Sequence, residues 1–461
     1  MTSTTNVFYE NFLTLISQST KLPNIYKQDL ANSNINVVST LDKTECLIDD
    51  FHHMIYFTDN VVTTSFYFEK ALGFQPIFSS GLNTGNKYFC SKVLKSGSVI
   101  IEILCPLQYQ ALEKENFNIS SLEYEQILAI IAKDFMSKHG NGIGVISFQS
   151  DWIKTRKIIN KIKNNTYLKG VLDVFHFEEK NPWSSFFVKI SKTGICQLIL
   201  SDFEGHFTHK TIYKAINSKK IINTGLSFER VDHTVLNVLE GHLNDISAIM
   251  KELYQLVDFW KPKSVIKTKK TGLNTKVLAS KKMVKDNNDY KVDKCVKFPI
   301  NEPLIIDKNH FGQIEEYLLF NNGPGIQHIA ISCSNIIDTI DFLESQGYIE
   351  FLKISSKELD SYYEKIHDSL LQSRERYEDV NLQKFVTYLL NHFEKIKLLN
   401  ILVDINTENE ILLQIFTKSV SGRPCLFFEF IQRFRNEGFG EGNFNSLFKS
   451  LEEDQIKRDT L

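Results

Sequence analysis

The chain has 461 residues, enough for two or three domains with substantial cores. Its 53 basic and 55 acidic residues leave a net charge of −2, which argues against a nucleic-acid or anionic-membrane partner. No apolar run approaches the roughly 18 uncharged residues of a membrane span, the N-terminus lacks the basic start of a secretory signal, and seven cysteines are scattered without CxxC spacing, so a reduced, soluble, cytoplasmic protein is expected.

Residues 1–50, rich in Asn, Ser and Thr, read as a poorly ordered arm with one short helix. FHHMIYFTDN then alternates like a strand and gives way to TTSFYFEKALGF, an amphipathic helix stopped at Gly73. NKYFCSKVLKSGSVIIEILCP supplies two or three more strands around Ser96 and Gly97. This order of elements returns three times. HGNGIGVISF precedes the helix DWIKTRKIINKI and the strands SFFVKI and GICQLILS. RVDHTVLNV precedes the helix DISAIMKELYQLV and strands near VLAS and CVKFP. GPGIQHIAI precedes the helix NIIDTIDFLESQGY and the strands ILVDI, ILLQIFTK and CLFFEFIQ.

Four degenerate βαβββ modules predict an α+β fold of two pseudo-symmetric, half-open barrel domains, each pair of modules curling round a shared cavity. The polar stretch with GHFTHK and SKK sets the boundary, giving domains of 51–215 and 216–461. SKKMVKDNNDYKV and the helical run from ELDSYYEK to NHFEKIK break the spacing and read as decoration.

The copies differ at the positions that carry chemistry. Glu429 is the only charge in a strand that is otherwise Leu, Phe and Ile, and a desolvated carboxylate is costly unless a positive group meets it. Two partners are open: an arginine, Arg433 or Arg435, or a metal cation shared with His233 and His328. Two imidazoles and a carboxylate on three strands fit the facial triad of non-haem Fe(II) oxygenases. His53 sits at the repeat position of His233, but Val145 and Ser147 fall where Gln327 and His328 would be, and CQLILSD has no buried carboxylate. The first half therefore reads as scaffold and dimer surface, and the remaining histidines as ordinary. GFGEGNF, with three alternate glycines, reads as a hinge before a C-terminal lid helix in which Phe444, Leu447, Phe448 and Leu451 share a face, with Asn443 toward solvent or neighbouring backbone.

From Phe51 to the C-terminus the sequence resembles the 4-hydroxyphenylpyruvate dioxygenases of the vicinal-oxygen-chelate (glyoxalase/bleomycin-resistance-like) superfamily. VDHTV, FPINEP, QIEEY, GPGIQHIA, LLQIFTK, GRPCLFFEFIQR and GFGEGNFNSLFKSLEEDQ carry the resemblance. It implies Fe(II) held by His233, His328 and Glu429, and a substrate pocket built from Thr275, Asn301, Gln313, Gln327, Gln414, Phe416, Phe439 and Phe444. Thr275 stands where the family commonly has Ser, so its extra methyl crowds the pocket. The implied reaction turns 4-hydroxyphenylpyruvate and O₂ into homogentisate and CO₂, a step of tyrosine catabolism, in a homodimer or larger homo-oligomer. The alternatives are a hydroxymandelate synthase, disfavoured by bulky Pro299 and Phe416, and a non-catalytic binder of small molecules.

Overall fold

A computed structural model describes residues 45–107, 123–175, 185–201, 204–208, 210–216, 226, 228–280, 295–307, 309–354, 359–376 and 379–460. The first module is β1 (Asp50–Phe57), α1 (Val61–Ala71), β2 (Gln75–Ser80), β3 (Phe89–Ser96) and β4 (Val99–Pro106). Helix α2 (Tyr124–His139) leads to the second: β5 (Gly142–Gln149), α3 (Trp152–Asn164), α4 (Thr166–Val171), β6 (Leu172–Phe175), β7 (Ser185–Ile190) and β8 (Cys196–Leu200), followed by β9 (Lys214–Ala215). The third is β10 (Phe228–Asn237), α5 (Leu243–Tyr254), β11 (Val257–Trp260), β12 (Ile266–Lys267), β13 (Thr271–Ala279) and β14 (Lys297–Ile305). After α6 (Gln313–Phe320) comes the fourth: β15 (Gly325–Cys333), α7 (Ile336–Gln346), α8 (Leu359–Arg376), α9 (Val380–Asn391), α10 (Phe393–Leu398), β16 (Leu402–Ile405), β17 (Ile411–Phe416) and β18 (Phe427–Phe434). Helix α11 (Phe444–Arg458) closes the chain.

The crossover helices start where the sequence offers a cap. Asn60, Asp151 and Asn335 each end the loop after a module's opening strand, and their side-chain oxygens accept from the backbone N–H of Thr63, Lys154 and Asp338. Each such cap stabilises its helix by about 1 kcal/mol.

Two sheets result. One runs β6-β7-β8-β5-β1-β4-β3-β2-β9, the other β11-β13-β14-β10-β15-β18-β17-β16 with β12 beside β13. In each, the opening strands of two modules pair antiparallel at the centre, β1 with β5 and β10 with β15. The last strand of each module then lies parallel to its own opening strand, as β4, β8, β14 and β18 do. That arrangement is the twofold repeat read from the sequence, and it gives each half a curled, half-open barrel.

The halves share a core. Phe428 points away from the cavity side of β18 and packs on Phe68 of α1, and Phe228 of β10 packs on Phe74, with ring centroids 5.9 and 5.7 Å apart. Phe148 of β5 meets Tyr254 of α5 in the same way at 5.9 Å. Turns of the first half press directly on the second: a Cβ on Gly97 would stand 1.8 Å from the Phe228 carbonyl oxygen, and one on Gly194 would stand 2.0 Å from that of Pro324. Both glycines also have positive φ, so a side chain is excluded twice over.

Three expectations need amendment. The end of the segment read as an arm is packed, since Leu47 and Ile48 are fully buried and Leu47 N–H donates to the Tyr254 carbonyl at 2.9 Å; residues 1–44 lie outside the described residues. The polar GHFTHK stretch puts His206 and Phe207 inside the first barrel, against His53. Helices α8 and α9, read as decoration, pack into the core: Tyr363, Leu370, Leu382, Val386 and Leu389 are buried, and the Tyr363 hydroxyl donates to the Ile401 carbonyl. The SKKMVKDNNDYKV segment lies almost wholly outside the described residues. Among the described residues no helix is long and apolar enough to cross a membrane.

Candidate active site

Register decides which side chains meet. His233 on β10 lies opposite Ala330 on β15, and Ala330 lies beside Glu429 on β18. His328 precedes Ala330 by two residues and so shares its face of the sheet. Three adjacent strands thereby aim two imidazoles and one carboxylate at a single point. His233 Nε2 is 3.1 Å and His328 Nε2 3.4 Å from the same Glu429 Oε2, and one donor atom from each residue lies within 4.8 Å of the others.

The first half has the same frame without the donors. Matching β1–β5–β8 to β10–β15–β18 by register puts Val145 in the place of His328 and Leu198 in that of Glu429. Ser147 falls at the level of Ala330, not of His328 as the sequence suggested, and its Oγ is 3.2 Å from His53 Nε2.

Each imidazole is held from behind. His233 Nδ1 donates to Asp232 Oδ1 at 2.7 Å, and His328 Nδ1 donates to Gln327 Oε1 at 3.1 Å. Carboxylate and amide oxygens only accept, so both rings carry Nδ1–H and turn the Nε2 lone pair toward Glu429. Two acceptors cannot face each other across 3.1 Å without a positive centre between them, which is either a proton or a metal cation. Burial alone would raise the Glu429 carboxyl, but the imidazoles, His233 foremost, outweigh it and hold it at about 2. Burial pushes His233 down, yet Glu429 and Asp232 together lift it above its ordinary value. For His328 burial prevails and the value falls. A buried anion with two neutral nitrogen donors suits a divalent cation, and the residues fit a metal ion.

The competing arginine is engaged elsewhere. Arg433 Nε and Nη2 each lie 2.8 Å from an oxygen of Asp232, a bidentate pair, and Arg435 pairs with Asp379. Glu429 is left to the imidazoles.

Around the three donors lies a cavity of about 700 Å³, counted out to its open mouth. Thr275, Asn301, Gln313, Gln327, Gln414, Phe416 and Phe439 all line it. Register again accounts for the set: Thr275 pairs with Asn301 across β13 and β14, and Phe416 pairs with Glu429 across β17 and β18. The Phe444 side chain lies outside the described residues, as does that of Leu447, whereas Phe448 and Leu451 of α11 reach the cavity. Asn443 is buried rather than turned to solvent, and its Oδ1 accepts from the Tyr362 hydroxyl at 2.8 Å.

The amides differ in what they have free. Gln327 already serves His328, and Asn301 Nδ2 donates to Asn237 Oδ1 at 3.3 Å. Gln414 Oε1 is buried without a hydrogen-bond partner, and a Cβ on Gly440 would stand 2.4 Å from it. Glycine there lets the backbone pass close to the amide.

Two aromatic wall residues escaped the sequence reading, as did the aliphatic Val235, Ile266, Leu273 and Val277. Trp260 lines the cavity and packs on Phe439 with ring centroids 5.3 Å apart, but no motif singles out its short strand. Phe427 lies two residues before Glu429, and strand alternation alone would have placed it on the cavity face.

No protein-family model matches the chain. It is similar to 4-hydroxyphenylpyruvate dioxygenases of Neurospora crassa, at 28% identity over 95% of this chain and the whole of the relative, and of Dictyostelium discoideum, at 29% over 90% of this chain and the whole of the relative. A mutant of 4-hydroxymandelate synthase from Streptomyces coelicolor superposes on 88% of this chain and 99% of its own with a TM-score of 0.62 at 20% identity. A xylose isomerase-like TIM barrel/4-hydroxyphenylpyruvate dioxygenase fusion protein covers 97% of this chain with 58% of its own length, at a TM-score of 0.55 and 14% identity. The fold is that of the vicinal-oxygen-chelate proteins, and the chain resembles the 4-hydroxyphenylpyruvate dioxygenases over nine-tenths of its length.

Proposed function

We propose that this chain is an Fe(II)-dependent 4-hydroxyphenylpyruvate dioxygenase, converting its substrate and O₂ to homogentisate and CO₂. The observation that carries the reading is the convergence of His233, His328 and Glu429 on one point of a cavity otherwise walled by amides, aromatic rings and aliphatic side chains. His233, His328 and Glu429 would hold Fe(II), which would supply the redox chemistry that O₂ activation needs.

The chain's own residues bind, orient and exclude water. Phe416 and Phe439 form an apolar slot for the aryl ring. In the same cavity Gln414 Oε1, unpartnered and buried, accepts a hydrogen bond from the phenol hydroxyl, with Asn301 and Gln313 as further neutral partners in the wall. Neutral amides hold a hydroxyl without competing for the cation. Thr275 keeps a hydroxyl in the wall and adds a methyl beside Asn301. Phe448 and Leu451 bring the apolar face of α11 over the mouth, so the helix acts as a lid.

The same reading assigns catalysis to residues 216–461 and scaffolding to residues 51–215, in a cytoplasmic homodimer or larger homo-oligomer. It is supported by the missing donors of the first barrel and by seven free thiols. Product identity tests the activity: homogentisate supports it, whereas hydroxymandelate would move the chain to benzylic hydroxylation.

A further inference from the structure

Arg433 uses its planar guanidinium in two directions. Nε and Nη2 hold both oxygens of Asp232 at 2.8 Å, and Asp232 Oδ1 in turn holds His233 Nδ1 at 2.7 Å. Nη1 faces the other way and donates to the carbonyls of Asn436, at 2.9 Å, and Gly438. Those carbonyls belong to the bend that leaves the Glu429 strand for α11. The bend is closed from its other side as well: Phe439 lies over the Arg433 guanidinium at 5.5 Å and against the His233 ring at 5.1 Å, and Glu437 pairs with Lys297 of β14. At the far end of the hinge Tyr362 of α8 holds Asn443.

We infer that Arg433 is a positioning residue that couples the orientation of the His233 imidazole to the seat of the hinge carrying α11; this rests on the metal-site reading above. A guanidinium is rigid and its donors point in fixed directions, so it cannot follow a shift of the Asn436 and Gly438 carbonyls without changing its fork on Asp232. The imidazole follows Asp232, because a buried carboxylate at 2.7 Å sets its ring plane. Coupling of two sites is reciprocal. A cation that fixes His233 therefore quiets the hinge, and a docked hinge favours the cation.

Amide hydrogen exchange with and without Fe(II) under argon tests this, since it reads the hinge and not turnover. In the wild-type chain Fe(II) slows exchange across residues 435–443 several-fold. Arg433→Lys keeps a positive charge beside Asp232, but one ammonium cannot reach Asp232 and both carbonyls together. In that variant the slowing shrinks at least threefold and Fe(II) affinity falls about 10-fold. Asp232→Asn, which cuts the chain at its other end, gives the same loss of response and stands in if the lysine variant does not fold. An unchanged hinge response in either folded variant, or no response in the wild type, overturns the coupling. A chain that shows the coupled response and makes no homogentisate refutes the dioxygenase reading instead and leaves the coupling standing.

Discussion

Phe427 lies flat against His328, with ring centroids 4.7 Å apart and planes 21° apart, and the two residues are register partners across the parallel strands β15 and β18. His328 is thus fixed by a ring on its face and by Gln327 on its edge, and neither contact competes for Nε2. Phe427→Leu should weaken metal binding about 10-fold in a calorimetric titration, while Phe427→Tyr leaves it within error. Equal loss in both variants would mean that the stack does not orient the imidazole.

Removal of any one donor should empty the site. His233→Ala, His328→Ala and Glu429→Ala are each expected to retain less than about a tenth of the wild-type iron after desalting, as loss of one of three donors takes away far more than the 10–100-fold that an outer partner commands. His53→Ala is the control and keeps its iron, because Val145 and Leu198 stand where further donors would be needed. Full iron content in His328→Ala would sink the ligand assignment.

A prediction for the first barrel concerns pH. Glu102 is fully buried, with Oε1 accepting from the Tyr213 hydroxyl at 2.9 Å; burial pushes its carboxyl from 4.5 up to about 7 against the help of that bond and of Ser91. Below about pH 4.5 both folded and unfolded chains hold the proton and the group is neutral in effect. As pH climbs toward 7 the unfolded chain releases it first, so the native state loses up to about 3 kcal/mol and the loss then levels off. Glu102→Gln should be more stable than wild type by an amount that grows between pH 5 and 7.5 in denaturant titrations. A gain that does not depend on pH would show that Glu102 is charged in the folded protein.

Helix α11, proposed above as a lid, is held at several points along its length. Gln455 Nε2 donates to the Phe311 carbonyl at 3.1 Å, Glu452 accepts from the hydroxyls of Thr268 and Thr271, and Arg458 forks onto Glu316 at 2.8 and 2.9 Å. Deleting residues 446–461 removes all of these and none of the three donors. The truncated, folded chain should keep its iron but consume more O₂ per homogentisate as water enters, read by an oxygen electrode beside product chromatography. Normal rate and coupling would reduce α11 to packing.

Much of this was legible in the sequence because period and repeat are strong signals. The four modules fall where β-alternation and motif order put them, while the residues that the family resemblance implied come together in space: His233, His328 and Glu429 converge, and seven of the eight implied pocket residues line the cavity around them. What escaped has a common cause, which is that a one-dimensional pattern does not carry pairings between distant segments. Arg433 and Asp232 are 201 residues apart, so nothing local told whether Arg433 would serve Glu429 or another acid. Trp260 reaches the cavity through the pairing of its short strand with β13, which sets it opposite Val277, and Tyr362 reaches Asn443 across 81 residues. Helices α8 and α9 read as decoration because an amphipathic helix reads the same whether its apolar face meets the core or another surface.

The central claim is tested most directly by gas and product stoichiometry on Fe(II)-loaded protein given 4-hydroxyphenylpyruvate under air, with no 2-oxoglutarate added. The expected result is one O₂ consumed and one CO₂ released for each homogentisate formed, with no turnover in Glu429→Ala. A strict requirement for 2-oxoglutarate, or metal-loaded protein that binds the substrate and forms no homogentisate, would contradict it.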